Sequence, residues 1–173
     1  MGYGGIVSGN SGVIGIKMEK VALAAGCFWG VELDLSKVEG VLSTTVGYTG
    51  GHAENPSYEM VCSGKSGHAE AVEVCFDPEV VSFEELLDIF WNIHDPTTLN
   101  QQGPDKGSQY RSAVFFHSEP QKEIAIKSKA ALDASGKWKN PVVTEIAAAD
   151  VFWPAEEYHQ KYLEKKGIGI SCR

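Results

Sequence analysis

The segment best suited to chemistry is GCFWG at residues 26–30, where one cysteine precedes two aromatic side chains and glycines flank all three. Residues 20–25 before it form a short apolar run of strand character, and the apolar residues after it recur at helical spacing. A cysteine at that junction would lie beside unpaired backbone N–H groups, which together with the helix dipole favour a thiolate. The pattern predicts that Cys27 is a reactive thiol beside an apolar pocket. The alternative is a small buried hydrophobe, which is common for free cysteine.

An acidic residue at the start of a predicted strand is the second candidate. Residues 69–76 alternate as a half-buried strand does, and Glu70 falls on the same side as the apolar residues Val72 and Val74. Burial disfavours the ionised carboxylate, so we expect the pKa of Glu70 to be raised and its acid form to persist. A solvated residue at the strand end is the alternative, because glutamate is seldom buried.

The chain has four cysteines, at Cys27, Cys62, Cys75 and Cys172. Their spacing is too irregular for a CxxC zinc site, and a chain of 173 residues is too long to need a disulfide framework. We therefore expect reduced thiols, a cytoplasmic location, and no bound metal or other cofactor. The thiols are either inert structural residues or include a redox-active pair.

The composition is that of an ordinary globular protein, with 43% hydrophobic and 22% charged residues. The net charge of -8 argues against nucleic acid as a partner, because no basic stretch is present to neutralise phosphates. No apolar run is long enough to span a bilayer, and a monomer is the expected state. We expect a flexible arm at residues 1–18, a single catalytic domain at residues 19–166 and a mobile tail at residues 167–173.

The remaining pattern predicts an α+β protein. Strands are expected at residues 20–25, 41–48, 69–76, 110–117 and 141–147, and helices after residue 27 and at 82–95, 118–134 and 155–166. Residues 58–62 are ambiguous, and residues 97–109 form a long polar loop. The order βαββαβαβα favours a two-layer α/β sandwich with a mixed sheet, a ferredoxin-like βαββαβ core and a C-terminal extension.

Four motifs in one order resemble a known family. They are GCFWG at 26–30, GHAE at 67–70, GPDxGSQYRS at 103–112 and FWPAExYHQ at 152–160. Together they resemble peptide methionine sulfoxide reductase A, over residues 20 to 163. The resemblance implies reduction of the S epimer of methionine sulfoxide, free or in proteins, with thioredoxin as the external dithiol.

The resemblance also assigns roles to seven side chains. The matching positions are the nucleophile Cys27, the acid Glu70, the oxygen-binding phenols Tyr58 and Tyr110, the polar residue Asp105 near them, and the aromatic walls of a methyl pocket, Phe28 and Trp29. These residue types suit the task, because sulfoxide oxygen leaves only when it is protonated and hydroxyl donors stabilise the charge developing on it. A methyl group forms no hydrogen bond, so a pocket with aromatic walls is suited to bind it.

The thiol that resolves the Cys27 sulfenic acid has two candidates in the sequence. Many family members end in a longer glycine-rich tail with one or two recycling cysteines, whereas this tail is short and holds only Cys172. Cys172 is the preferred resolving thiol because a mobile arm can fold back onto the site, and Cys62 is the second candidate. Cys75 has the parity of a strand position and is expected to be inert.

Two other functions remain open from the residues alone. One is a methionine- or peptide-binding module with a structural Cys27, and the other is a thiol hydrolase, which would need a histidine base. None of the five histidines lies in a recognisable hydrolase signature. Glu156 and Glu157 beside His159 could suggest metal ligands, but a solvated helix face is the expectation for them.

Overall fold

The structure, a computed structural model, describes residues 17–169. Its strands are β1 (Glu19–Ala25), β2 (Val41–Thr49), β3 (Ala69–Phe76), β4 (Gln101–Gln102), β5 (Asp105–Lys106), β6 (Ser112–Phe116), β7 (Glu145–Ala148) and β8 (Trp153–Pro154). Its α-helices are α1 (Phe28–Ser36), α2 (Tyr58–Cys62), α3 (Phe83–Asn92), α4 (Glu119–Ala134) and α5 (Tyr162–Lys165). Short 3-10 turns cover Ser108–Tyr110 and Glu157–His159.

One mixed sheet organises the described residues, with the strand order β7-β6-β1-β3-β2-β8. Every neighbouring pair is antiparallel except β6 and β7, which are parallel. The four central strands with α1 and α3 as crossovers form the βαββαβ arrangement of ferredoxin-like folds. The predicted α+β class with a mixed sheet is therefore confirmed. Strands β4 and β5 form a separate small hairpin.

The long helices form for local reasons. In α3 the Ser82 hydroxyl accepts the Glu85 N–H at 3.1 Å, and the apolar face of the helix is buried. In α4 the Ser118 hydroxyl accepts the Gln121 N–H at 3.3 Å. Helix α3 ends at Asn92, three residues before the predicted end at Asp95.

The sheet has two different faces. The face covered by α1 and α3 carries large side chains such as Leu23, Val72 and Phe76. Glu70 lies on this face and is 2% exposed, so the predicted core-facing parity is confirmed. The opposite face carries small side chains, which are Ala22, Ala24, Ala69, Ala71 and Ala113, packed with Phe115 and Phe152. The site carboxyl thus emerges from the larger of the two cores.

Four predicted elements differ from the structure. Residues 155–166 are not one helix, because the chain passes from β8 into a 3-10 turn and then through Lys161, whose φ of 54° is left-handed. The predicted strand at 110–117 begins only at Ser112, and the one at 141–147 only at Glu145. The predicted loop at 97–109 contains the β4–β5 hairpin.

Side-chain bonds to strand β2 explain the break in the predicted last helix. The Gln160 amide accepts the Val46 N–H at 2.9 Å and donates to the Val46 and Ala155 carbonyl oxygens at 2.9 and 3.0 Å. A Cβ at Gly47 would lie 2.6 Å from the Phe152 ring and would also meet the Trp153 carbonyl. The segment therefore lies directly on the sheet edge instead of continuing as a helix.

Two expectations concern residues outside the described range. The predicted flexible arm lies there for residues 1–16, and so does Cys172 in the predicted tail. Among the described residues, no helix is long and apolar enough to cross a membrane.

Candidate active site

Cys27 occupies the N-cap position of α1, and Gly26 alone separates it from the end of β1. Gly26 between them has a φ of 98°, and a Cβ there would lie 2.7 Å from the Gln102 side chain. The turn points the Cys27 sulfur at the backbone N–H groups of Trp29 and Gly30. The predicted location of Cys27 at a strand-to-helix junction is therefore confirmed.

The predicted low pKa of Cys27 is wrong for the site without substrate. Burial raises the pKa of the Cys27 thiol to about 11, and the charges of Glu70 and Asp105 act in the same direction. The N–H groups of Trp29 and Gly30 lower this pKa but are outweighed. The resting thiol is therefore protonated, and its ionisation is coupled to that of Glu70.

Glu70 lies at the start of β3, beside the first turn of α1. The Phe28 N–H donates a hydrogen bond to Glu70 Oε1 at 3.2 Å. Burial raises the pKa of Glu70 to about 8, against the effect of the Phe28 N–H, and the charge of Asp105 contributes to the rise. As predicted, the carboxyl is an acid at neutral pH, and it is bonded to the residue that follows the thiol.

Tyr58 and Tyr110 reach the same place from two other elements, the first residue of α2 and the end of a 3-10 turn. The Tyr58 hydroxyl bonds to the Cys62 thiol. Burial raises the pKa of both phenols, that of Tyr110 to about 12, and the charge of Glu70 raises them further. Both hydroxyls therefore remain hydrogen-bond donors near Glu70.

Asp105 on β5 faces the site, since its charge raises the pKa of Cys27, Glu70 and Tyr110. It lines a cleft of about 320 Å³ together with Cys27 and Trp29. Apolar atoms dominate this cleft, whose other walls include Val31, Ile93, Pro104 and Leu163. An apolar cleft with a thiol at its edge suits a thioether-like side chain.

The two predicted pocket walls are placed differently. Trp29 is partly exposed and lines the cleft, with its ring stacked on Tyr162 at 3.9 Å between centroids and 11° between planes. Phe28 is only 1% exposed and packs against Tyr48 and His159, at 5.8 and 5.2 Å between centroids. Trp29 therefore offers the larger surface, and Phe28 lies beneath the site.

Glu156 was not predicted to belong to the site, and its expected position on a solvated helix face is wrong. The Tyr48 hydroxyl donates to Glu156 Oε1 at 3.0 Å, and the Tyr58 N–H donates to Oε2 at 3.2 Å. Glu156 thereby fixes the start of α2, from which the Tyr58 phenol extends. Glu157 is exposed, as expected.

His159 and Gln160 were also missed, although they belong to the FWPAExYHQ motif. His159 is completely buried and accepts a hydrogen bond from Trp29. The signal available in the sequence was the motif itself, but the 3.6-residue pattern favoured a regular helix there. Only the packing of the segment on β2 shows what these side chains contact.

The two other described cysteines lie in different parts of the fold. Cys62 ends α2 with an exposed thiol, and its charge would affect the pKa of Tyr110, which places it near the site. Cys75 lies on the opposite face of β3 from Glu70, paired with Lys20 and Ser43. Cys27, Cys62 and Cys75 are all free thiols, and residues 17–169 contain no cluster of His, Cys, Asp and Glu that could hold a metal ion.

Comparisons with known proteins match this chain to one family over nearly its whole length. The family model of peptide methionine sulfoxide reductase matches residues 19–172. A relative from Methanothermobacter thermautotrophicus, peptide methionine sulfoxide reductase MsrA, is 60% identical over 149 residues, which are 86% of this chain and 88% of that protein. Mxr1 from Saccharomyces cerevisiae in reduced form has a TM-score of 0.83 and 40% identity, with 90% of each chain covered.

A second structure of Mxr1 from Saccharomyces cerevisiae, in complex with Trx2, has a TM-score of 0.61 and 31% identity, covering 84% of this chain and 85% of that one. The sequence and structural matches thus point to one group of proteins. The chain belongs to the peptide methionine sulfoxide reductase A family of oxidoreductases, which reduce methionine sulfoxide to methionine.

Proposed function

We propose that this chain reduces the S epimer of methionine sulfoxide, free or within proteins, through the Cys27 thiolate. The observation that carries the proposal is the pairing of Cys27 with a buried, protonated carboxyl. Glu70 is bonded to the N–H of the residue that follows the thiol, so acid and nucleophile share one helix terminus. A cleft that extends beyond Cys27 leaves room for residues that flank a peptide-bound substrate.

The first step transfers oxygen from substrate to enzyme. The Cys27 thiolate attacks the sulfoxide sulfur while Glu70 donates its proton to the oxygen, with the phenols of Tyr58 and Tyr110 hydrogen-bonded to that oxygen. The attack forms a transient S–S bond between Cys27 and the substrate. That bond and the S–O bond of the substrate then both break as the protonated oxygen moves to Cys27, where a new S–O bond forms. The products are methionine and the Cys27 sulfenic acid, so the substrate sulfur gains the two electrons that Cys27 loses.

The second step returns Cys27 to the thiol. A second cysteine thiol attacks the Cys27 sulfur, water leaves, and a disulfide forms. An external dithiol, which we propose is thioredoxin, then reduces the disulfide and is itself oxidised. The complex of Mxr1 with Trx2 supports this choice of partner. No metal or organic cofactor enters these steps, and we propose that the catalytic unit works as a monomer.

Cys172 is the proposed resolving thiol, with Cys62 as the second candidate. The Gly169 carbonyl accepts from Lys37 Nζ at the C-terminal end of α1, whereas Cys27 begins that helix. Cys172 lies three residues beyond Gly169, and we propose that it reaches the Cys27 sulfenic acid when this end of the chain folds back along α1.

The decisive experiment is incubation with racemic methionine sulfoxide and dithiothreitol, followed by chiral separation. The S epimer should be consumed and the R epimer should remain. Cys27→Ser should abolish consumption without loss of the fold, while Cys75→Ser serves as the matched cysteine control. Sulfoxide binding without turnover by the native protein would favour the binding module, and ester turnover without an oxidised thiol would favour the hydrolase.

A separate experiment identifies the resolving thiol. One equivalent of the S sulfoxide is added without reductant, and the disulfide is located by peptide mass mapping. We expect a bond between Cys27 and Cys172. A bond between Cys27 and Cys62 would contradict the assignment of Cys172 while leaving the reductase itself intact.

A further inference from the structure

A buried histidine lies behind the proposed substrate site and has no part in the chemistry described so far. His159 is 0% exposed. Its ring is surrounded by aromatic rings on four sides, with centroid distances of 5.2 Å to Phe28, 5.6 Å to Trp29, 4.4 Å to Tyr58 and 4.0 Å to Tyr158. Three of these four residues belong to the proposed site.

The hydrogen bonding of His159 selects one tautomer. The Trp29 Nε1–H donates to His159 Nδ1 at 2.9 Å, so Nδ1 carries no proton and the neutral ring carries its proton on Nε2. Burial lowers the pKa of His159, against the opposing charge of Glu156. His159 Nε2 is buried and forms no hydrogen bond among the described residues, with Glu156 Oε2 at 3.9 Å.

The two contacts of Trp29 restrict its indole in different ways. Stacking on Tyr162 fixes the plane of the ring, but it permits the ring to slide or rotate within that plane. The hydrogen bond to His159 Nδ1 removes this freedom, because an indole has a single N–H and donates along one direction. Together the contacts hold one face of Trp29 toward the cleft beside Cys27.

We propose that His159 is a positioning residue for sulfoxide binding, acting through its Nδ1 acceptor on Trp29. This inference rests on the proposed function and on the role that the family resemblance implies for Trp29, a wall of the pocket that holds the substrate methyl group. A wall that contacts substrate and transition state alike changes KM more than kcat when it is loosened. His159 does not touch the reacting atoms, so its loss should leave the chemical step nearly intact.

The test compares two substitutions of His159 that differ in one hydrogen-bond acceptor. His159→Phe retains a ring but leaves the Trp29 Nε1–H without a partner, and we expect KM for the S sulfoxide to rise roughly tenfold with kcat changed less than about threefold. His159→Asn places an amide oxygen near the former Nδ1 position and should restore most of the affinity. An unchanged KM in His159→Phe would overturn the proposal.

A double-mutant cycle with Trp29→Phe separates positioning from general loss of packing. The phenyl ring that replaces the indole in this variant has no N–H to direct, so adding His159→Phe to Trp29→Phe should raise KM no further. If the two substitutions raise KM by independent factors, His159 does not act through Trp29 and the inference fails. A native protein that consumes neither epimer would instead refute the proposed function, so the two failures are distinguishable.

Nitrogen NMR of the native protein tests the inference even if a variant does not fold. Uniform 15N labelling should show one histidine at neutral pH with an unprotonated Nδ1 and a protonated Nε2, and the Trp29 indole N–H should be protected from exchange. Correlations between each ring and its own assigned backbone identify the two residues without any variant. A His159 ring that carries its proton on Nδ1 would overturn the proposal.

Discussion

The two sides of the candidate active site are built in different ways. Cys27 and Glu70 lie at the ends of regular elements, α1 and β3, which the central sheet holds in register. Glu156 and His159 lie in a segment that combines a two-residue strand, a 3-10 turn and the left-handed Lys161. Side chains fix this second region to partners far away in the sequence, 130 residues in the case of Trp29 and His159.

The two regions have different roles in the proposed mechanism. The regular region contributes the proposed nucleophile and the proposed acid, whose locations follow from the local sequence. The irregular region contributes no reacting atom in the proposed mechanism, yet it holds Trp29 and the backbone of Tyr58. Changes in the first region should therefore reduce the chemical step, and changes in the second should affect binding and local stability.

After loss of the nucleophile itself, the largest expected effect comes from the proposed acid. Glu70→Gln retains the size of the side chain and its acceptor for the Phe28 N–H but removes the proton delivered to the oxygen. We expect the rate of sulfenic acid formation to fall about 10²- to 10⁴-fold, measured in single turnover without reductant. An unchanged single-turnover rate would remove Glu70 from the acid role.

The same pair should produce a pH profile of defined sign. With pKa values of about 8 for Glu70 and about 11 for Cys27, both groups are protonated at pH 7. In the proposed mechanism the reactive form has an ionised Cys27 and a protonated Glu70, so the two groups together hold one proton. The free enzyme, which holds two at pH 7, must therefore lose one proton before it reacts. We expect kcat/KM to rise about tenfold per pH unit below pH 8, to level off, and to fall above pH 11. The variant Glu70→Gln should lack the rise in kcat/KM that ends near pH 8.

Burial of Glu70 should also weaken the fold at higher pH. Its pKa is raised from 4.5 to about 8, so between these values the unfolded chain has released a proton that the folded protein still holds. The free energy of unfolding should therefore fall as pH rises through this window, by at most about 1.4 kcal/mol per unit. Urea unfolding should show that Glu70→Gln lacks this slope, and an equal slope in both proteins would contradict the burial argument.

A change in the irregular region should loosen that region alone. Gln160→Ala removes three hydrogen bonds that join the segment to Val46 and Ala155. Amide exchange at residues 153–165 should accelerate roughly 10- to 100-fold while β1 and β3 remain protected. Glu157→Ala, which removes an exposed side chain from the same segment, is the control and should exchange as the native protein does.

The smallest effect is expected at the remaining strand cysteine. Cys75 is five residues from Glu70 along β3, about 16 Å, and faces the other side of the sheet. Cys75→Ser should change kcat/KM less than about twofold in a dithiol-driven assay. A larger loss would mean that the opposite face of the sheet contributes to the site.

Sequence pattern predicted the structure correctly where local spacing determines it. The apolar run before Cys27 and the alternation through Glu70 depend only on the spacing of residues within one element. Such patterns therefore predict the element without knowledge of its distant partners. Glu156 and His159 were not predicted, because a helical spacing of apolar residues says nothing about hydrogen bonds to partners 108 and 130 residues earlier. The pKa of Cys27 was also misjudged, since burial outweighs two N–H groups and burial depends on the whole fold.

The absence of a side chain at Gly47 has a consequence for sequence variation. Strand β8 pairs with β2 at Gly47 and Tyr48, and a Cβ at Gly47 would overlap the Phe152 ring and the Trp153 carbonyl. Any mutation that replaces this glycine with another amino acid adds at least a Cβ atom. A homologue with another residue at this position must therefore route the segment after β7 differently, which would displace its counterpart of His159 and leave the indole that corresponds to Trp29 without its acceptor.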